Sequence, residues 1–275
     1  METAIEKPWV VVTGASGSMG SAAVRALALK GERVIMACRN PKKGAAVRDA
    51  ILAEVPGAEL DLRILDLSSL SSVREFAASL EGTVVKALFN NAGIINRDFN
   101  ITADGLEATT ATNYVGPYLL TRTLAPMMPK GSRIVNMVSV TTKVSSIGES
   151  FLTPDEKGFS QLGTYGKTKY ALSLFTIALQ ERFPDLYVNM SDPGVVNSNM
   201  ISMHRWFDPI ADVLFRPFCK TPEQGVAPAL RALETTEHLK YFVGRKTREV
   251  SRRLMEDPQV ESLWRQTADF LGMNR

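Results

Sequence analysis

Two cysteines and two histidines are all that the 275-residue chain offers as soft metal ligands or cross-links. Cys38 and Cys219 stand far apart, and His204 and His238 are isolated, so no His/Cys/carboxylate group has metal-site spacing. A disulfide framework is excluded as the source of stability, and two free thiols in a reducing compartment are the reading preferred. Long apolar runs are missing as well. The best window, 206–219, is broken by Asp208, Pro209, Asp212, Arg216 and Pro217, whereas a membrane helix needs about 18 apolar residues. Residues 1–8 are polar and hold no signal core. Neither sign of charge dominates: 32 basic residues face 29 acidic ones, net +3, without a block of either. That balance argues against a nucleic-acid partner. The absences together predict a cytoplasmic protein held by its core, with no metal and no transmembrane segment.

What is present is an alternation. Apolar or β-branched runs at 9–13, 33–38, 60–65, 86–89, 133–138, 186–190 and 241–243 read as strands. Helical patterns fill the intervals at 22–29, 43–52, 70–80, 105–128, 165–183 and 222–233. Strands that are apolar throughout belong to a parallel sheet covered on both faces. The pattern therefore predicts an α/β chain: a single doubly wound Rossmann domain over 1–275. It has a parallel sheet of about seven strands, with helices on both faces. A helical tail at about 247–272 completes it, and no repeat or linker marks a boundary.

The first strand runs into Thr13-Gly14-Ala15-Ser16-Gly17-Ser18-Met19-Gly20. In a doubly wound sheet this turn aims backbone N–H groups and a helix N-terminus at a pyrophosphate. Gly14, Ser16, Gly17, Ser18, Met19 and Gly20 are thus candidate cofactor residues. At the end of the second strand an NAD-preferring site places a carboxylate on the ribose hydroxyls. Here the chain reads Cys38-Arg39-Asn40, with Lys42 and Lys43 following. A guanidinium suits a 2′-phosphate, so Arg39 predicts NADP(H) in preference to NAD(H).

With Asn90-Asn91-Ala92-Gly93 and Tyr165-Gly166-Lys167-Thr168-Lys169, the chain resembles the short-chain dehydrogenase/reductase family. Ser139 matches its catalytic serine and Asn113 the asparagine of its long fourth helix. Pro193-Gly194-Val195-Val196-Asn197-Ser198 resembles the segment that closes over the nicotinamide. The motifs run in family order from about residue 9 to 245. Cys38-Arg39, the long gap between Ser139 and Tyr165, and the tail around Leu263-Trp264 resemble the retinol-dehydrogenase and protochlorophyllide-reductase branch. Ser18 stands where the family has its middle glycine, and Ser198 where it has threonine.

The resemblance implies a catalytic set of Asn113, Ser139, Tyr165 and Lys169. It extends the cofactor site to Asp66, Leu67, Asn91, Ala92, Gly93, Tyr165, Lys169, Pro193, Gly194, Val196 and Ser198. A free tyrosine titrates near 10 and is a poor base at neutral pH. Lys169, one helical turn after Tyr165, is expected to lower that value. Ser139 would donate to the substrate oxygen, and Asn113 would hold a relay water. Met200, Met203, Trp206 and Phe207 make the 197–220 stretch either a lid over an apolar substrate or a packing surface. The expected partner is a small apolar carbonyl or alcohol, with self-association left open. Two other readings stand beside the alcohol dehydrogenase or carbonyl reductase: reduction of a carbon–carbon double bond, and a non-catalytic NADP(H) sensor.

Overall fold

The computed structural model describes residues 7–196 and 220–274. Eight strands form one sheet: β1 (Trp9–Thr13), β2 (Arg33–Cys38), β3 (Leu60–Ile64), β4 (Val85–Asn90), β5 (Arg133–Met137), β6 (Tyr187–Asp192), β7 (Lys240–Val243) and β8 (Lys246–Glu249). Their order is β3-β2-β1-β4-β5-β6-β7-β8. Every pair is parallel except β7–β8, where Val243 opposes Lys246 across a tight hairpin. The helices are α1 (Ser18–Leu29), α2 (Pro41–Glu54), α3 (Leu70–Ala78), α4 (Ala108–Thr110), α5 (Gly116–Leu124), α6 (Gln161–Arg182), α7 (Pro222–Ala232), α8 (Arg252–Met255) and α9 (Gln259–Leu271).

The apolar strands are explained by cover on both faces. Val11 packs with Ile35, Leu88, Ile134 and Val188 on one side, under Phe76 of α3, Tyr118 of α5 and Phe175 of α6. Its neighbours Val10 and Val12 pack with Val34, Met36 and Phe89 on the other, under Val24 of α1 and Val226 of α7. Side chains alternate along a strand, so a strand buried on both faces must be apolar at every position. Val11 and Val12 are wholly buried, and burial of each contributes about 1.5–3 kcal/mol.

Two departures from the sequence reading have local causes. The eighth strand, Lys-Thr-Arg-Glu, is exposed along its length, so periodicity carries no signal for it, and 247–249 is strand where the sequence predicts helical tail. Gly244, at φ +52°, supplies the first central residue of the two-residue hairpin. The stretch expected as one helix over 105–128 is α4, a π turn at Ala111–Val115, α5, and a 3₁₀ turn at Ala125–Met127. Pro117 has no N–H to give the carbonyl of Asn113, four residues earlier. The ladder widens there, and the Gly116 N–H bonds Ala111 instead. Asn113 thus sits within a π turn, a distortion common at functional sites.

The tail covers α5 and α6 rather than standing free. Trp264 of α9 stacks on Phe175 at 5.8 Å, meets Tyr118 edge-on at 5.3 Å, and lies 4.2 Å from the Arg122 and Arg182 guanidiniums. The Tyr118 hydroxyl donates to the Trp264 carbonyl at 3.0 Å. At the other end of the helices, the carboxyl ends of β1 and β4 diverge. The strand order reverses between them, and crevices for ligands form at such switch points.

Candidate active site

At the switch point one hydroxyl ties the two strand ends. Thr13 Oγ1 donates to the Phe89 carbonyl and accepts from the N–H groups of Asn91 and Ala92, both at 3.0 Å. The Asn91 amide returns a bond to the Thr13 carbonyl at 2.8 Å. Gly14 follows at φ +64°, and a Cβ there would lie 2.9 Å from the Ala92 backbone. Only glycine fits this turn. The cap of α1 is Gly17, without a side-chain acceptor, so the first-turn N–H groups remain for a ligand.

A cleft of about 500 Å³ opens here. It brings together twelve residues foreseen from sequence: Gly14, Ser16, Gly17, Ser18, Met19, Gly20, Arg39, Asp66, Leu67, Asn91, Ala92 and Gly93. Sequence reasoning missed Leu65, Ile94, Asn40, Lys43 and Thr112 as wall residues. Asn40 had a readable signal, since it caps α2 by accepting from the Lys43 N–H at 2.9 Å, with Pro41 next. Thr112 had none. Its hydroxyl and the Asn91 carbonyl oxygen are buried without a partner. Leaving such a group unpaired costs about 1–3 kcal/mol, which makes both candidate ligand contacts.

The outer end of the cleft is cationic. Arg39 and Lys43 flank the α2 N-terminus, whose first turn has no acid. Among the described residues Asp66 is the one carboxylate on the wall, and its Oδ1 accepts from the N–H and hydroxyl of Ser68 at 2.9 and 2.6 Å. Cys38 lies buried beneath, its thiol pushed up chiefly by desolvation.

Among the described residues none of the four expected catalytic side chains lines the cleft, Tyr165 and Lys169 included, although both were expected to touch the cofactor; Lys169 and Asn113 stand beside its wall residue Gly93. A Cβ on Gly93 would lie 3.4 Å from Lys169 Nζ and 3.5 Å from Asn113 Oδ1. Ser139 caps the 3₁₀ turn Val140–Lys143, its Oγ accepting from the Thr141 N–H at 3.3 Å, and it lies near enough to Tyr165 to act on its phenol. Tyr165 is half-buried in the second turn of α6. Lys169 is 2% exposed and donates to the Met137 carbonyl at 2.7 Å, with Nζ 5.7 Å from the Tyr165 ring centre. Asn113 grips Ile94 from both sides, accepting from its N–H at 2.8 Å and donating to its carbonyl at 2.9 Å. It also donates to Thr168 at 3.2 Å.

The expected lowering of the Tyr165 phenol is not what this geometry gives. Burial pushes its pKa above the ordinary value; the Ser139 hydroxyl opposes the rise and the Asp192 carboxylate adds to it. The Lys169 ammonium donates to the Met137 carbonyl, and the groups that act on the phenol are Ser139 and Asp192. Lys169 itself is lowered to about 8, because desolvation outweighs the support of Asp192.

Asp192 was missed by sequence reasoning, although a carboxylate directly before Pro193-Gly194 was legible. It is 3% exposed, and accepts from the Gly194 N–H and the Tyr241 hydroxyl, each at 2.8 Å. Pro193, Gly194 and Val196 do not line the cleft. Pro193 accepts from Lys220 Nζ at 3.0 Å. Val196 bridges to Lys220 and packs with Met19 at Gly225, so this strand exit lies over the α1 N-terminus. Ser198 and the lid candidates Met200, Met203, Trp206 and Phe207 lie outside the described residues. Among the described residues no group of His, Cys, Asp and Glu could hold a metal, and no helix is long and apolar enough to cross a membrane.

Comparison with known proteins agrees with the geometry. The short chain dehydrogenase family model matches residues 8–206. The chain therefore belongs to the short-chain dehydrogenase/reductase family, oxidoreductases that act on CH–OH or C=O groups. It is 34% identical to retinol dehydrogenase 12 of Bos taurus, over 96% of this chain and 86% of that one. Retinol dehydrogenase 13 of Homo sapiens is 30% identical, over 96% and 84%. Within the family it falls in the retinol-dehydrogenase-like branch. Its fold is similar to a crystal structure from Mycobacterium Paratuberculosis, at TM-score 0.75 and 28% identity, covering 98% of this chain and 94% of that one. A short-chain dehydrogenase from Sphingobium yanoikuyae in complex with NADPH shares the fold at TM-score 0.67 and 19% identity, over 98% and 96%.

Proposed function

We propose that this chain transfers hydride between NADP(H) and a small apolar carbonyl or alcohol, on one domain, with Tyr165 as the general acid/base. The observation that carries the reading is one crevice with two different ends. Arg39, Lys43 and the α2 N-terminus make its outer end cationic, and at the other its wall residue Gly93 meets Lys169 and Asn113, with the Tyr165 ring 5.7 Å from the Lys169 ammonium. The residues fit a dinucleotide. The uncapped start of α1 suits a pyrophosphate, and the unpaired oxygens of Asn91 and Thr112 suit hydroxyl groups. Solved relatives of the fold carry NADPH, as in Sphingobium yanoikuyae, or NADP, as in Shigella flexneri.

NADPH, when bound, supplies the hydride. The protein handles the proton and the charge. Tyr165 holds its proton at neutral pH because burial keeps the phenol high, which suits donation to a carbonyl oxygen as negative charge develops there. Ser139 donates a hydrogen bond to the same oxygen, a stabilisation worth most where water is excluded. Lys169 places a buried cation beside the phenol, to offset the phenolate left when the proton departs. An apolar substrate is supported by the relatives, whose names give retinol. A pure sensor has no use for an ammonium buried at such cost, so that reading is weaker. Consumption of NADPH with a panel of aldehydes, ketones, sterols and retinoids tests the proposal.

Cofactor choice gives a separate result. Among the described residues Arg39 has no ion-pair partner, and position 38 carries no acid. A charge-assisted bond to a 2′-phosphate is worth about 1.5–3 kcal/mol, a preference of roughly 10- to 150-fold for NADPH over NADH. Titration should show this preference in the wild type and its loss in Arg39→Ala, with NADH binding unchanged. Equal affinity for both cofactors in the wild type would contradict it.

A further inference from the structure

The loop that leaves Ser139 is held from the far end of the chain. Arg253, in α8, donates to the carbonyl of Lys143 at 2.5 Å and to that of Ser145 at 2.6 Å. From these carbonyls the path to the serine is short and fully bonded. The Ser145 N–H donates to the Thr141 carbonyl at 3.1 Å, the Thr141 N–H donates to Ser139 Oγ at 3.3 Å, and the Thr142 N–H donates to the Ser139 carbonyl at 3.0 Å. Ser145 also sits directly on Gly166, where a Cβ would lie 2.3 Å from its Oγ, and Gly166 follows Tyr165 in α6.

The guanidinium is itself fixed to α6. It lies 5.2 Å from the ring centre of Tyr170, the residue after Lys169, whose hydroxyl donates to Asp257. One side chain therefore joins the tail, the helix that carries Tyr165 and Lys169, and the loop that carries Ser139. A planar guanidinium with several donors can meet two carbonyls at once, which a single ammonium cannot do with the same geometry. Fold stability does not demand this. Arg253 is exposed, and α8 is anchored by the buried Leu254 next to it.

We propose that Arg253 is a positioning residue: it clamps the 139–145 loop so that the Ser139 hydroxyl stays near enough to Tyr165 to act on its phenol. The inference rests on the oxidoreductase reading for its kinetic part only. Misplacing a reacting group by about 1 Å can cost on the order of a hundredfold in rate; partial release of one loop should cost about tenfold.

The test compares wild type, Arg253→Ala, Arg253→Lys and Arg252→Ala in the full chain. With saturating NADPH and an accepted aldehyde, Arg253→Ala should lower kcat about tenfold, with NADPH affinity and melting temperature nearly unchanged. Arg253→Lys should recover part of the loss. Arg252→Ala should match wild type, since Arg252 is exposed and pairs only with Glu256 at 3.5 Å among the described residues. Hydrogen exchange gives a readout that needs no substrate. Amides 141–145 should exchange at least tenfold faster in Arg253→Ala, with β5 and the middle of α6 unaffected. Unchanged exchange at 141–145, or a kcat within twofold of wild type, would overturn the clamp. A wild type that turns over none of the carbonyls would overturn the oxidoreductase reading instead, and the exchange result would still decide the clamp.

Discussion

Tyr165→Phe is expected to lower turnover on an accepted carbonyl substrate on the order of a thousandfold, within the range for removing a positioned general acid. NADPH affinity should change by less than about twofold, because only a hydroxyl is removed and the ring keeps its place in α6. The same group sets the direction of the pH dependence. Burial raises the phenol's pKa, so the protonated form that reduction needs persists through neutral and mildly alkaline pH. Reduction should therefore be flat there as far as Tyr165 is concerned. Oxidation needs the deprotonated form and should climb with pH, by up to about tenfold per unit below the phenol's pKa. Initial rates in both directions, measured from pH 6 to 10, check the sign. A Tyr165→Phe turnover within tenfold of wild type would remove the phenol from the chemistry.

The second large effect joins a loss of function to a gain in stability. Lys169→Met should abolish turnover and weaken NADPH binding, since it removes the buried cation beside Tyr165 and Gly93. Folding should nevertheless become more favourable at pH 7. Lys169 falls from 10.5 to about 8 on burial, a cost of about 3 kcal/mol at 1.36 kcal/mol per unit. The attraction to Asp192 is already contained in that shift. Against the cost stands the lost bond to the Met137 carbonyl, about 1 kcal/mol, so the net expectation is a gain in stability.

The pH signature is more specific. A lysine lowered by folding gives up, between about pH 8 and 10.5, a proton that the unfolded chain keeps. The full cost is present below pH 8, and wild-type stability on this account rises with pH across that window. Lys169→Met should lack that rise. Urea unfolding of both proteins at pH 7 and pH 10 is the measurement, and a variant less stable than wild type at pH 7 would contradict it.

Much of this arrangement was legible in the residues. Uniformly apolar runs such as Trp9–Thr13 announce a strand covered on both faces, and the glycine turn after it locates the cleft. The illegible parts share a physical cause: they depend on contacts between segments far apart in sequence. Lys-Thr-Arg-Glu becomes β8 only because β7 offers it an edge. Thr112 matters because its hydroxyl is left unpaired in the cleft wall, which no pattern of neighbours reveals. Whether Lys169 lowers Tyr165 depends on which acceptor its ammonium meets, and the sequence does not say that it donates to the Met137 carbonyl. Arg253 illustrates the same limit, since nothing near it in the chain points to the loop after Ser139.

The most direct measurement follows the hydride itself. NADPH deuterated at C4 of the nicotinamide is incubated with the protein and an apolar aldehyde that passes the consumption screen, and the product is read by mass spectrometry. The expected result is an alcohol that carries the deuterium on its carbinol carbon, formed by wild type and not by Tyr165→Phe. Deuterium on the β-carbon of an α,β-unsaturated carbonyl substrate, with a solvent-derived proton on the α-carbon, would mean reduction of the double bond. NADPH that binds but never yields a labelled product, across aldehydes, ketones, sterols and retinoids, would contradict carbonyl reduction altogether.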